Sequence, residues 1–306
     1  MKTVYRSILL LPLLICCSCA PYLKIGSTKQ VSPKSIGDYT IVGVCPDGKS
    51  MLVTKSLYTG LYLIDLKSGN IRTLTNLPGA GYQPAFSKDG RSLVFRTDDF
   101  SEKKRTSNLY IIRLDSGDTT VLLRKGRMVS PPVVVGNDIA YTVNEKLKTG
   151  GFGWSPMGHP IEKTFVLLED LLPIIWSEGI KRVYKPGGEG AYIWVSLSPN
   201  RTQMVYHLAG KGTFVSDLHG RILLSADDLT NPKWLNNNYI VGIKPRGYGS
   251  GYPSTDLVSF CVKTGKKTII TNTADVNELN PHPFDNGRSI AYQTSTGTFH
   301  VIKLKR

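Results

Sequence analysis

Cysteine is scarce where a disulfide scaffold would need it. Of five cysteines, Cys16, Cys17 and Cys19 crowd the N-terminus and the body keeps only Cys45 and Cys261. A framework of several bridges is excluded. Histidine is equally thin: His159, His207, His219, His282 and His300 lie one per region, without the close spacing of a metal-ligand motif. Acidic residues number 23 against 38 Lys and Arg, a net charge of +15. That bears on partners and solubility and says nothing of the fold. Gly (30) and Pro (18) show no short period, which excludes collagen-like and low-complexity chains. After residue 20 no stretch approaches 18 apolar residues, so no second membrane element is expected.

What is present begins with an address. A basic start (Lys2, Arg6) precedes an apolar run, Ile8–Ile15, and small residues. This is the layout of a secretory signal peptide, and the run is too short to span a bilayer. It stops at Cys16-Cys17-Ser18-Cys19-Ala20, which resembles the lipobox of bacterial lipoproteins. Cys19 fits best as the lipidated residue because the small Ser18 precedes it. The pattern departs from the family's at minus three, where Cys16 replaces Leu. Cys17 and Cys16 are the alternatives, and ordinary cleavage after Ala20 is another. Each acyl CH₂ buried in a membrane contributes about 0.8 kcal/mol, so several chains anchor firmly.

The body repeats. Leu61–Gly69 and Leu109–Gly117 align without gaps, each an apolar strand running into a Ser-Gly turn. A second unit, Pro84-Ala-Phe-Ser-Lys-Asp-Gly-Arg-Ser-Leu-Val-Phe95, has echoes at Cys45–Val53, Ser198–Tyr206 and Pro281–Tyr292, and weaker ones at Pro132–Tyr141 and Pro232–Val241. Asp-Gly, or Asn in its place, supplies the positive φ of a tight hairpin. The strand after it is β-branched and aromatic. Each unit therefore reads as a four-stranded antiparallel sheet. Such a sheet cannot cover both its faces alone, and radial stacking gives a propeller. Turns at Asp47, Asp89, Asn137, Asn200, Asn237 and Asn286 predict six blades in an all-β fold. The last blade has only three strands of its own. Tyr22–Val31 is expected to pair with Thr298–Leu304 and close the ring, because an open edge would remain otherwise. The expected organisation is a signal peptide over 1–19, a tether and closing strand over 20–37, and the propeller over 38–306.

The unit Pro84–Phe95 resembles the WD-like repeat of TolB-type β-propellers, and the echoes cover roughly 38–306. A lipoprotein with such repeats is similar to envelope lipoproteins of Gram-negative bacteria. The resemblance implies an outer-membrane lipoprotein facing the periplasm or the cell surface. It constrains function weakly, since such propellers host binders, scaffolds, lyases and accessory domains of peptidases.

Two motifs mislead. Gly43-Val-Cys-Pro-Asp-Gly-Lys-Ser50 satisfies the phosphate-loop pattern, but a strand follows where a helix N-terminus would have to hold the anion. Gly249-Ser250-Gly251 lacks both the glycine and the strand-to-helix context of a hydrolase elbow. Cys45 and Cys261 are expected in distant blades, as buried hydrophobes. Basic clusters at Lys103–Arg105, Arg124–Arg127, Lys181-Arg182 and Lys263–Lys267 suit a solvated surface; an anionic headgroup or acidic glycan is the alternative. Nucleic acid is an unexpected partner outside the cytoplasm.

Long segments between the second and third strands of a blade, Thr97–Asn108, Asn144–Lys163 and Pro245–Thr255, are expected to project from one face. They carry Trp154, His159, Arg246, Tyr248 and Tyr252, the candidate ligand-binding residues. Exposed rings among glycines suit sugar or peptide recognition; the alternative is that Phe152 and Trp154 pack on the rim. No catalytic constellation, metal site or cofactor is found. The expectation is a monomeric, non-catalytic propeller that binds an envelope protein or glycan and is held to the membrane by its lipid. The alternative is a polysaccharide lyase or hydrolase with a site in the central channel, where His282 is the plausible histidine.

Overall fold

The computed structural model describes residues 23–31, 33, 38–101, 103–152, 163–226, 228–246, 254–274 and 276–305. The lipobox cysteines, Trp154, His159, Tyr248 and Tyr252 lie outside them. The first strand, β1 (Lys24–Val31), precedes the ring proper. Blade one is β2 (Thr40–Val44), β3 (Ser50–Thr54), β4 (Leu61–Asp65) and β5 (Ile71–Thr75). Blade two is β6 (Ala85–Phe86), β7 (Ser92–Asp99), β8 (Thr106–Arg113) and β9 (Thr119–Gly126). Blade three has, among the described residues, three strands, β10 (Val133–Val135), β11 (Asp138–Val143) and β12 (Lys146–Gly151). Blade four also has three, β13 (Phe165–Glu169), β14 (Leu172–Ser177) and β15 (Ile180–Val183). Blade five is β16 (Tyr192–Leu197), β17 (Gln203–Leu208), β18 (Gly212–Asp217) and β19 (Ile222–Ala226). Blade six is β20 (Thr230–Asn236), β21 (Tyr239–Arg246), β22 (Ser254–Cys261) and β23 (Lys267–Ile269). Blade seven is β24 (Glu278–Phe284), β25 (Ser289–Thr294), β26 (Phe299–Lys305) and β1.

The propeller therefore has seven blades, which corrects the expectation of six. The uncounted blade is the fourth, whose hairpins lack the Asn/Asp-Gly signature. Its β13–β14 turn uses Asp170 and Leu171 at φ 47° and 61°, and its β14–β15 turn uses Glu178 and Gly179. Three strands in blade three leave the chain on the wrong side of the ring, and three in blade four bring it back. Arg201, in the β16–β17 turn, donates through Nη1 to the Thr164 carbonyl at 2.7 Å, so β13 begins on the face of the minimal turns. Tyr192 N donates to the Leu171 carbonyl at 2.8 Å, so the β13–β14 turn lies on the opposite face. We call these the turn face and the loop face.

The strand count of blade three also corrects the expected position of Asn144–Lys163. Asn144 and Glu145 form a tight turn on the loop face, both at positive φ, and β12 then runs to the turn face. Residues 153–162 of that segment lie outside the described residues.

The hairpins form where Asp and Gly dictate. Asp89 accepts from Ser87 Oγ (2.6 Å) and Arg91 N (3.1 Å), while Gly90 takes φ 70°. The second strand of each blade is buried on both sides because neighbours cover both. In β3, Met51 and Val53 join the core shared with blade seven, and Leu52 joins the core shared with blade two. Five further clusters fill the remaining interfaces around the ring. Strand β1 pairs antiparallel with β26, Lys24 opposite Lys305 and Val31 opposite Phe299, with Leu23 and Val31 buried at its two ends. The phosphate-loop look-alike is strand, hairpin, strand, with Gly48 at φ 69° in the turn. Cys45 and Cys261 are both free and buried.

Candidate functional site

A cavity of about 780 Å³ opens on the loop face across blades one to four. The β3–β4 link brings Leu57 and Tyr58, and the β5–β6 link brings Pro78, Gly79 and Tyr82. The β7–β8 hairpin adds Arg96, Asp98, Phe100 and Arg105, and the β9–β10 link adds Met128. Glu145, Glu169 and Asp170 close the far side from the turns of blades three and four.

Arg96 forms the floor. It is only 6% exposed, which is unusual for an arginine without full pairing. Its Nη1 donates to the Val129 carbonyl at 2.6 Å, and its guanidinium lies 5.3 Å from the Tyr82 ring centroid. Asp98 sits 3.5 Å from Nε, yet Nε is buried without a hydrogen-bond partner. Burial pulls the Arg96 guanidinium below the usual arginine range, with Asp98 opposing. Asp98 is itself committed, accepting from Ser107 Oγ at 2.9 Å. Glu169 meets Lys181 Nζ through Oε2 at 2.7 Å, and its Oε1 is buried without a partner.

The rim is apolar and held in left-handed backbone. Leu57 (90% exposed), Tyr58 and Met128 (58% exposed) take φ of 54°, 55° and 47°. Such conformations cost bulky residues of order 1–3 kcal/mol each and cluster at functional sites. Phe100 is 67% exposed, and Tyr58 stands edge-on to Tyr82 at 5.1 Å. Behind the rim, Gly81 is required, since a Cβ there would sit 2.1 Å from Thr54 Oγ1.

Of the candidate ligand-binding residues named from sequence only Arg246 is among the described residues, and it does not line this cavity. Arg246 ends β21 in blade six, and its Nε and Nη2 grip Asp256 at 2.7 Å each. Its fork is taken by the protein itself. Beside it Glu278 is buried, with Oε1 accepting from Thr273 and Oε2 unpartnered. Burial raises the Glu278 carboxyl above the usual range, and Asp256 adds to the effect.

His282 lies on β24, the innermost strand of blade seven. The equivalent positions are Gly43, Ala85, Val133, Ser196 and Lys233, each opposite the second strand at the same place in the repeat. Just ahead of three of them, bulges hold Trp194, Asn231 and Asn280 at positive φ, and Asn231 Nδ2 donates to Asn280 Oδ1 at 3.3 Å. Burial, reinforced by the Lys233 charge, pushes His282 down to about 3, so it is neutral at physiological pH. Burial lowers Lys233 too. Among the described residues no three His, Cys, Asp or Glu side chains converge as a metal requires.

Sequence reasoning missed Arg96, Glu169, Tyr58, Phe100 and Lys233. Two had a signal: Arg96 interrupts the apolar run Leu93–Phe95, and Lys233 follows the repeat proline Pro232 where Ala85 follows Pro84.

No family model matches the sequence. The Tol-Pal system protein TolB of Helicobacter hepaticus is 28% identical over 113 residues, 36% of this chain and 26% of that protein. The match thus spans about a quarter of the relative's length. Among solved structures, the Cps50 (Swd1) β-propeller domain of Myceliophteria thermophila superposes with a TM-score of 0.57 at 11% identity, covering 93% of this chain and 100% of that one. An oligogalacturonate lyase in complex with manganese gives 0.51 at 16% identity, covering 89% and 79%. These likenesses support the propeller fold. They leave open what the site does.

Proposed function

We propose that this chain is a non-catalytic envelope scaffold whose loop face binds a partner protein through the cavity over blades one to four. The observation that carries the reading is the apolar rim of Leu57, Tyr58, Phe100 and Met128 around a buried arginine, the first two and Met128 displayed in costly backbone. Monomeric soluble proteins seldom expose contiguous large apolar side chains unless they bind something. The stretch of TolB similarity supports a scaffold in the same sense. Lys24 faces Lys305 at the turn-face end of β1, so the chain enters β1 at the turn face. A lipid on Cys19 would then hold the turn face toward the membrane and leave the cavity facing away. Cys19→Ala should release the chain from the membrane fraction and abolish acyl labelling; labelling absent from the parent chain would reject the anchor. Crosslinking in intact envelopes tests the scaffold. Tyr58→Ala and Phe100→Ala should each remove the main crosslinked product, and its persistence in both would reject the cavity as the contact.

A second reading places chemistry in the channel. It rests on Lys233, whose ammonium burial weakens, beside the neutral imidazole of His282. Buried groups with displaced pKa values concentrate at active sites. Turnover of acidic polysaccharides, lost in Lys233→Met, would favour this reading over the scaffold.

A further inference from the structure

Resting on the scaffold reading, we infer that the cavity takes a peptide segment in which a large apolar side chain is followed by a lysine or arginine. The rim decides the first half. Leu57 and Met128 are aliphatic and adaptable, and together with Phe100 and Tyr58 they suit the side chains of a protein. A sugar would ask instead for planar polar groups beside flat rings, and the one buried fork here, Arg96, is turned to Val129 and Asp98.

Charge decides the second half. The protein is strongly basic, yet the far wall of this cavity is acidic. Glu145 and Asp170 stand exposed on adjacent turns of blades three and four. Both are held at positive φ, 64° and 47°, in these turns. Beside them the Oε1 of Glu169 is a buried acceptor without a donor. Of the cavity's cations, Arg96 is enclosed and Arg105 lies 4.0 Å from Asp98. An incoming ammonium or guanidinium would meet Glu145 and Asp170 at the wall. An acidic ligand would meet the same wall and be repelled.

The test uses two fluorescein-labelled hexapeptides, Gly-Ser-Leu-Phe-Lys-Gly and Gly-Ser-Leu-Phe-Glu-Gly, and fluorescence anisotropy on the full chain. The lysine peptide should bind at least tenfold more tightly, because the exchange turns attraction into repulsion at the acidic wall. Glu145→Gln combined with Asp170→Asn should shrink that ratio below threefold and leave the melting temperature unchanged, since both groups are exposed. Tyr58→Ala should weaken both peptides alike. Equal binding of the two peptides, preference for the glutamate peptide, or a ratio that survives the double substitution would each overturn the inference. So would binding of neither peptide, or tighter binding of cellohexaose than of the lysine peptide. If the peptides fail while Tyr58→Ala still removes the crosslinked partner, the scaffold stands and only its ligand chemistry falls. If crosslinking too is indifferent to the cavity, both fall.

Discussion

Closure of the ring by β1 can be weighed residue by residue. Leu23 and Val31 are 6% and 4% exposed and belong to two different cores, those between blades six and seven and between blades seven and one. The perturbation is Leu23→Ala with Val31→Ala. A buried Leu→Ala costs 2–5 kcal/mol, about 3 for a site at the margin of its core. Val→Ala removes two methyl groups, about 2 kcal/mol with the cavity it leaves. The strand holds the two sites roughly 26 Å apart, so the costs add to about 5 kcal/mol. With an unfolding entropy of about 2.1 cal/mol/K per residue over the roughly 260 described residues, melting should fall by about 9 °C. Gln30→Ala, on the exposed side of the same strand, should shift it by less than about 1 °C. Scanning calorimetry gives the shift, and hydrogen exchange shows whether Phe299–Lys305 becomes an open edge. A double variant melting within about 2 °C of the parent would refute the reasoning. So would β26 amides that exchange fast in the parent.

Three further outcomes are expected. Gly81→Ala should cost about 1–3 kcal/mol by overpacking, and Thr54→Ala should not rescue it, because the clash extends to the Thr54 Cβ at 2.4 Å; full recovery in the double variant, read by urea unfolding, would contradict this. His282 is held at about 3, below its ordinary 6.5, so between those values the unfolded chain takes up a proton the folded one refuses. Stability should fall as pH drops from about 6.5 toward 3, by up to about 1.4 kcal/mol per unit, and His282→Gln should flatten that limb in urea titrations at pH 7 and 4.5; superimposable profiles would exclude it. Burial pushes the Cys45 thiol up to about 11, so iodoacetamide at pH 8 should alkylate it at least a hundredfold more slowly in the folded chain than in urea, as mass spectrometry would show; comparable rates would mean the thiol is accessible.

Much of the fold was legible because the information is local. Asp47-Gly48, Asp89-Gly90 and Asn286-Gly287 dictate hairpins whatever surrounds them, since positive φ is a property of one or two residues. The buried second strands show as apolar runs, and the missing fourth strand of the last blade follows from pairing arithmetic. Blade four was illegible for the same reason. Asp170-Leu171 carries no turn signature, and its left-handed backbone is imposed by the packing of β13 and β14 between neighbours. Once that blade was missed, Asn144–Lys163 read as one long loop on the wrong face.

The candidate site divides along the same line. The sequence by itself determined the repeat and the propeller class, and it put His282 on an innermost strand, because these rest on turns, periods and strand counts. Only the tertiary structure decided that Arg96 and Tyr82, Leu57 and Met128, and Glu145 and Glu169 share one cavity. They come from four blades and as many links, and nothing in their spacing announces it. Radial packing sets that meeting: whether the chain enters a blade from the loop face or the turn face depends on the strand count of every blade before it.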